Sequence, residues 1–242
     1  MSTLPLPDPA LHDVGLDDGG QRGAKQVRLL EHVGLAPSTD LLEIGCGLGR
    51  LAYELATYFD GGSYTGFDIS AEAIDWLNAE YAPRLPGFRF DLLDVASARY
   101  RPDGEQPAAS VRFPYPDHAF DLVCAFEVFM HVDLAGVANY LAEVARVLRP
   151  GGSALLTFMA IWDPDEVPTY AGRPFVPIGG GVHTRFPERP GVSMAYQDHL
   201  IRATIADAGL RLTEAIEGRW HKPWDEPTEP GHNCDVYVVA PG

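Results

Sequence analysis

The chemistry-bearing residues of this 242-residue chain gather first in one run, Glu43-Ile44-Gly45-Cys46-Gly47-Leu48-Gly49. Glycines between a strand and a helix let a ligand that crosses the carboxyl end of a parallel sheet approach the backbone closely. The dinucleotide fingerprint G-x-G-x-x-G requires glycine at position 50, where Arg50 stands, so nicotinamide chemistry fails on spacing. No Lys-Ser/Thr pair follows the glycines, which excludes a phosphate-cradling loop. The spacing that remains is acidic-x-G-x-G-x-G. Metal chemistry finds no support, because His131-Val132-Asp133 and Asp163-Pro164-Asp165 are isolated pairs with no further ligand at recognisable spacing. Cys46, Cys124 and Cys234 are far apart and odd in number, which excludes a disulfide framework and any C-x-x-C motif.

The elements that must position these residues follow a regular alternation. Val27, Leu30 and Val33 share one face of a helix over 22–33, and Asp40-Leu41-Leu42-Glu43-Ile44 reads as a buried parallel strand stopping at the glycines. Leu51, Ala52, Leu55, Ala56 and Phe59 then line one side of a helix. A second strand runs from Ser63 to Phe67 and ends at Asp68; Ser70 is a natural N-cap for a helix striped by Ala73, Ile74, Leu77 and Tyr81. A third strand begins at Phe88 and ends near Asp94, followed by a turn-rich stretch from Ser97 to Pro116. Phe120 to Phe126 is the fourth strand, and Phe-Asp at its start assigns Asp121 to a turn. A helix carrying Val137, Tyr140, Leu141, Val144 and Leu148, with Arg146 and Arg149 in its last turn, ends at Pro150-Gly151-Gly152. Ser153 to Phe158 is the fifth strand. The helix 196–208 and the strands Leu210 to Ile216 and Asp235 to Val239 complete the set, and strand–helix alternation at this interval means a three-layer α/β sandwich.

The segment Ala160 to Ala195 breaks the alternation, with Pro164, Pro168, Pro174, Pro177, Pro187 and Pro190, the run Gly179-Gly180-Gly181 and no sustained period. A loop of that length carrying Trp162, Tyr170, Phe175 and Phe186 is expected to pack as a lid over the site. The chain is thus expected to be one domain over 1–242, with an extended lead-in at 1–21 and a lid or cap insertion at 160–195.

Five blocks in order resemble the class I S-adenosylmethionine-dependent methyltransferases of small-molecule type with a C-terminal cap: LLEIGCGLGR, YTGFDIS, FRFDLLDV, FPYPDHAFDLV and YLAEVARVLRPGG. The resemblance implies a Rossmann-like fold, a mostly parallel seven-stranded sheet with an antiparallel last strand, and S-adenosyl-L-methionine as cofactor. Glu43 and the backbone of Gly45, Cys46 and Gly47 would hold the methionine amino end. Asp68, 19 residues beyond Gly49, has the acceptor-only chemistry that takes both hydroxyls of a ribose. Ile69 would wall the adenine, and Asp94 with Val95 would reach the adenine amine, Asp91 being the competing assignment. Phe126 or Glu127 would close the site beside the sulfonium. His131, five residues past the fourth strand on the rim, resembles a histidine that many relatives carry and is the first candidate for a base. His183 in the glycine-rich lid is the second, and Asp133 or Glu127 could orient or replace His131.

The Asn/Asp-Pro-Pro-Tyr/Phe signature of enzymes that methylate planar amino groups is missing; Glu127-Val128-Phe129-Met130-His131 stands in its place. With 18 basic and 34 acidic residues the formal charge is −16, which works against nucleic acid and anionic membranes. The opening MSTLPLPDPALHD has neither a basic n-region nor an apolar h-region, and a cytoplasmic protein is expected. The expected reaction is methylation of a hydroxyl on a small, natural-product-like molecule. N- or C-methylation, or a cofactor-binding fold that transfers no methyl, stay open. Trp220 and Trp224 are candidates for a homodimer contact or for the substrate pocket.

Overall fold

The computed structural model describes residues 4–7, 21–170, 172–220 and 234–242. Most of the lead-in, and Trp224 with its neighbours Lys222 and Pro223, lie outside the described residues. In chain order the core elements are α1 (Gln21–His32), β1 (Asp40–Ile44), α2 (Arg50–Leu55), β2 (Ser63–Asp68), α3 (Ala71–Glu80), β3 (Phe88–Leu92), β4 (Phe120–Ala125), α4 (Leu134–Val147) and β5 (Leu148–Phe158). The insertion contributes β6 (Ala160–Ile161), β7 (Thr169–Tyr170), β8 (Arg173–Pro174), β9 (Val176–Gly179), β10 (Val182–Thr184) and β11 (Met194–Gln197), and α5 (Asp198–Asp207), β12 (Leu210–Ile216) and β13 (Asp235–Pro241) close the chain.

The main sheet has seven strands in the order β12-β13-β5-β4-β1-β2-β3. β3, β2, β1, β4 and β5 are parallel, and β13 runs antiparallel to both of its neighbours, so the expected sheet with its antiparallel last strand is what the chain forms. The two-residue period of each strand divides the core between the two faces. Leu42 and Ile44 pack with Val137 and Leu141 of α4 and Ile201 of α5. Leu41 faces the other way, toward Leu30 of α1, Leu51 and Leu55 of α2, and Leu77 of α3. Strand order reverses between β1 and its neighbours β4 and β2, and an α/β sheet opens a ligand crevice at the carboxyl ends of the strands at such a point.

Three boundaries differ from the sequence expectation. α2 ends at Leu55, short of Phe59, because the backbone of Asp60 and Gly62 turns to donate to the Pro37 carbonyl at 2.8 and 3.1 Å. α4 ends at Val147, and Pro150-Gly151-Gly152 falls inside β5 where its register against β4 shifts. Arg149 therefore caps no helix: it pairs with Asp40 and Asp121, both at 2.8 Å, and Asp121 within β4 also accepts from the Asp40 amide. Tyr196 belongs to β11, pairing with Val182 and donating its amide to the Met159 carbonyl, so α5 starts at Asp198.

The insertion is not structureless. β6, β11, β10 and β9 form a four-stranded sheet in that order, and β7 with β8 a two-stranded ribbon. Two- to four-residue strands are too short to print an alternation on the sequence, and the three glycines from Gly179 make the β9–β10 turn. Phe175, Met159, Ile161, Ala195 and Trp220 form a separate apolar cluster beneath it.

One buried side chain ties this insertion to the sheet. Asp235, fully buried at the start of β13, accepts from the Ala160 amide (2.7 Å), Trp162 Nε1 (2.8 Å), the Gly218 amide (2.8 Å) and Trp220 Nε1 (2.7 Å). Burial pushes its carboxyl up, against the four donors that favour the charged form. Asp235→Asn keeps the shape but turns an NH2 toward donors. It should lower unfolding free energy by on the order of 3 kcal/mol, seen as a reduced urea midpoint at unchanged m-value.

Candidate functional site

A cavity of about 1910 Å³ opens over the carboxyl ends of β1, β2 and β4 and beneath the lid. That is roughly twice the upper end of ordinary small-ligand clefts, so it has room for two ligands side by side. Its floor is the glycine run. The amides of Gly45 and Cys46 both donate to the Phe67 carbonyl (2.8 and 3.0 Å), which bends the chain leaving β1 over the end of β2. Gly47 then donates to Asp68 Oδ2 at 2.8 Å, and Ser70 to Asp68 Oδ1 at 2.9 Å. Gly45 has φ +73°, and a Cβ there would lie 2.5 Å from Val128 Cγ2; Gly47 has φ +51°, and a Cβ there would meet nothing within 4 Å. The first glycine admits a neighbouring side chain, and the second leaves the floor open.

The expected floor residues converge. Glu43, Gly45, Cys46, Gly47, Asp68 and Ile69 line the cavity, and Val95, Phe126 and Glu127 join them from just beyond the ends of β3 and β4. Glu127 sits in the left-handed region at φ +59°, its amide held by Thr157 Oγ1 at 2.8 Å. That conformation costs a non-glycine residue about 1–3 kcal/mol and recurs at functional sites. Cys46 is buried and its thiol is pushed well up by desolvation, so it serves as a wall and not as a nucleophile.

Two expected residues are not on the cavity wall. Asp94 lies beyond the end of β3, where its carboxylate takes Arg101 Nε at 2.7 Å and the Glu105 amide at 3.3 Å. Arg101, seven residues away in the turn-rich stretch, also donates to the Ile69 carbonyl at 3.2 Å, so the adenine-side acid serves as an internal tie. Asp91 is no substitute: it is bonded to Arg89 and Tyr115. His183 is buried within β10, its Nδ1 without a partner and its basicity lowered by desolvation.

His131 does line the cavity, from a single 3-10 turn, Phe129–His131, that follows β4. Its Nδ1 lies 2.8 Å from the Val192 carbonyl of the lid and its Nε2 3.4 Å from the Tyr100 hydroxyl. A carbonyl only accepts, so Nδ1 carries a proton, and in a neutral ring the lone pair is on Nε2. Asp133 caps α4 through the Gly136 amide at 2.8 Å and lines the cavity beside it. Tyr100, Arg99 and Arg185 are cavity residues that motif reading misses. The bridges Val95 to Gln106 and Ser97 to Arg101 fold the turn-rich stretch so that Arg99 and Tyr100 reach the site. No periodicity announces such a turn.

Residues 42–156 match a family described as a methyltransferase domain. They are similar to methyltransferase domains. The family's cofactor is S-adenosylmethionine. Among curated proteins the chain is similar to a sterol 24-C-methyltransferase of Gibberella zeae, 29% identical over 171 residues, covering 68% of this chain and 40% of that protein. It is also similar to the nocamycin O-methyltransferase of Saccharothrix syringae, 36% identical over 132 residues, covering 54% of this chain and 41% of that protein. The matched region thus spans less than half the length of either relative. Among solved structures, an S-adenosylmethionine dependent methyltransferase from Mesorhizobium loti superposes with TM-score 0.60 at 16% identity, covering 91% of this chain and 99% of that one. That likeness shows the fold.

The cavity floor suits this cofactor: an open backbone at Gly47, a carboxyl at Asp68, apolar walls at Ile69, Val95 and Phe126, and a second carboxyl at Glu43. Glu43 is 4% exposed and accepts from the Tyr64 hydroxyl. Desolvation, reinforced by Asp68 and opposed by Tyr64 and Arg50, pushes its carboxyl up to about 7 from 4.5. Burial likewise pushes Asp68 up, opposed by the amides of Ser70, Gly47 and Ile69. Between pH 4.5 and 7 the folded state therefore holds a proton on Glu43 that the unfolded state has lost. Stability from this group is full below pH 4.5, falls as pH rises to about 7, and is level above, by on the order of 3 kcal/mol in all. Urea titrations of the ligand-free protein across that range should show the fall, and Glu43→Gln should shrink it, leaving the part that Asp68 and Asp235 contribute.

Proposed function

We propose that the protein transfers a methyl group from S-adenosylmethionine to a hydroxyl oxygen of a small, natural-product-like molecule. The observation that carries this reading is His131, whose Nδ1 is engaged by the Val192 carbonyl so that Nε2 is the basic nitrogen beside the cavity. A hydroxyl needs a base, whereas a free amine does not. The nocamycin O-methyltransferase is a relative consistent with an oxygen as the site of transfer.

The roles follow from position. Asp68 would accept the ribose hydroxyls, Glu43 and the Gly45–Gly47 backbone would hold the amino end, and Ile69, Val95 and Phe126 would enclose the adenine. The cofactor supplies an electrophilic methyl on a sulfonium. Alignment of the hydroxyl with that methyl falls to the lid and rim, and positioning of this kind provides much of the acceleration in an in-line displacement. Tyr100, edge-on to His131 with centroids 5.1 Å apart, holds the imidazole plane. Glu127 and Cys46 shape the wall between the two ligands.

Calorimetric titration with S-adenosylhomocysteine should show binding, weakened at least tenfold in Asp68→Ala. In a hydroxyl screen with radiolabelled cofactor, His131→Ala should keep that binding while losing about 10²–10⁴-fold in turnover. The acidic limb of its pH–rate profile should vanish as well. Full turnover in His131→Ala would redirect the reading to an amine or a carbon, and binding without any methylated product across the screen would contradict transfer altogether.

A further inference from the structure

In a chain of net charge −16, Arg99 and Arg185 both line the cavity and, among the described residues, pair with no carboxylate. Seven others, Arg84, Arg89, Arg101, Arg112, Arg146, Arg149 and Arg202, pair with acids. Among the described residues no ion pair engages Arg99 or Arg185. Arg99 has a buried Nε with no hydrogen-bond partner, and its guanidinium lies 4.9 Å from the centre of the Tyr100 ring. Arg185 is held from two sides, Nε on Ser193 Oγ at 3.0 Å and Nη1 on the Tyr170 carbonyl at 3.3 Å. Its guanidinium also lies over the rings of Tyr170 (4.7 Å), Phe186 (5.3 Å) and Phe175 (5.7 Å).

The two are electrostatic neighbours. Burial, then the charges of Arg99 and Arg173, hold Arg185 below the ordinary guanidinium range, with Tyr170 opposing. The lid and the Arg99 turn also meet directly: Arg189 Nη2 donates to the Ala98 carbonyl at 2.7 Å. Two half-buried like charges facing one cavity are unfavourable unless an anion joins them, and a guanidinium fork matches a carboxylate in shape as well as charge. Around them Trp220, Met194, Ile178 and Tyr170 supply an apolar wall.

We propose that the methyl-accepting molecule is an organic acid whose carboxylate binds between Arg99 and Arg185, one aromatic ring beyond the rim histidine. The spacing comes from the chain of contacts Arg99 to Tyr100 to His131. The carboxylate is an anchor, and the oxygen that receives the methyl lies nearer His131. This inference rests on the methyl-transfer reading above and names the substrate class for the same cavity.

The test is binding to the full chain saturated with S-adenosylhomocysteine, using 3-phenylpropanoate, salicylate and decanoate, each against its own primary amide. The acids should bind at least tenfold more tightly than their amides. Arg99→Gln and Arg185→Gln should each remove that advantage, Arg185→Lys should restore part of it, and affinity for S-adenosylhomocysteine should stay unchanged in all three. Should Arg185→Gln fail to fold, Arg99→Gln and Arg185→Lys carry the comparison. Equal binding of acids and amides, no binding of any acid, or a preference that survives in Arg99→Gln would overturn the proposal. Methylation of neutral alcohols with no acid preference would overturn it while leaving the oxygen-transfer reading intact. Arginine-dependent acid binding with no oxygen methylated would leave the carboxylate site standing and overturn the oxygen-transfer reading together with the acid's role as methyl acceptor.

Discussion

Backbone amides that leave a parallel strand at its carboxyl end have lost their ladder partners, and each must find another acceptor. At the end of β1 the amides of Gly45 and Cys46 find the Phe67 carbonyl, and that of Gly47 finds Asp68. The rest of the site depends on this arrangement. It bends the chain across the adjacent strand, starts α2 from Gly49 in the left-handed region, and fixes the Asp68 carboxylate at the mouth of the crevice. Because the end of β2 supplies the acceptors for all three amides, the floor is tied to the sheet beneath it.

The upper half of the cavity is held by different means. Asp235 gathers donors from Ala160 and Trp162 of the insertion and from Gly218 and Trp220 of the connector before β13, so a buried carboxyl adds to the apolar packing that seats the insertion. On the opposite rim Val192 meets His131 and Arg189 meets Ala98. Lid position and imidazole orientation are therefore coupled. A methyl acceptor seated under the lid would find Nε2 already turned to it, with little ordering left to do at the moment of reaction.

How much of this is legible in the sequence varies with the source of the order. β1 and β2 read directly as short buried strands and β12 as an edge strand, and the Glu43 to Gly49 spacing points to the floor. Asp68 is legible because strand end and ligand crevice coincide. The partner of Asp94 is not legible, because it is Arg101, in a stretch with no period. The burial of His183 is not legible either, because a register shift between Val182 and His183 sets its parity, and a one-residue slip moves a side chain to the other face. Arg99 and Arg185 leave no local mark, being 86 residues apart and brought together only by the lid.

The central claim is that one cavity holds the cofactor on the β1–β2 floor and presents its reactive methyl to His131. A crystal structure with S-adenosylhomocysteine tests this most directly. The account predicts ribose hydroxyls on Asp68, the adenine against Ile69 and Val95, and the sulfur opening toward the space between His131 and the lid. A nucleoside bound away from Asp68, or a sulfur screened from His131 by the lid, would contradict it.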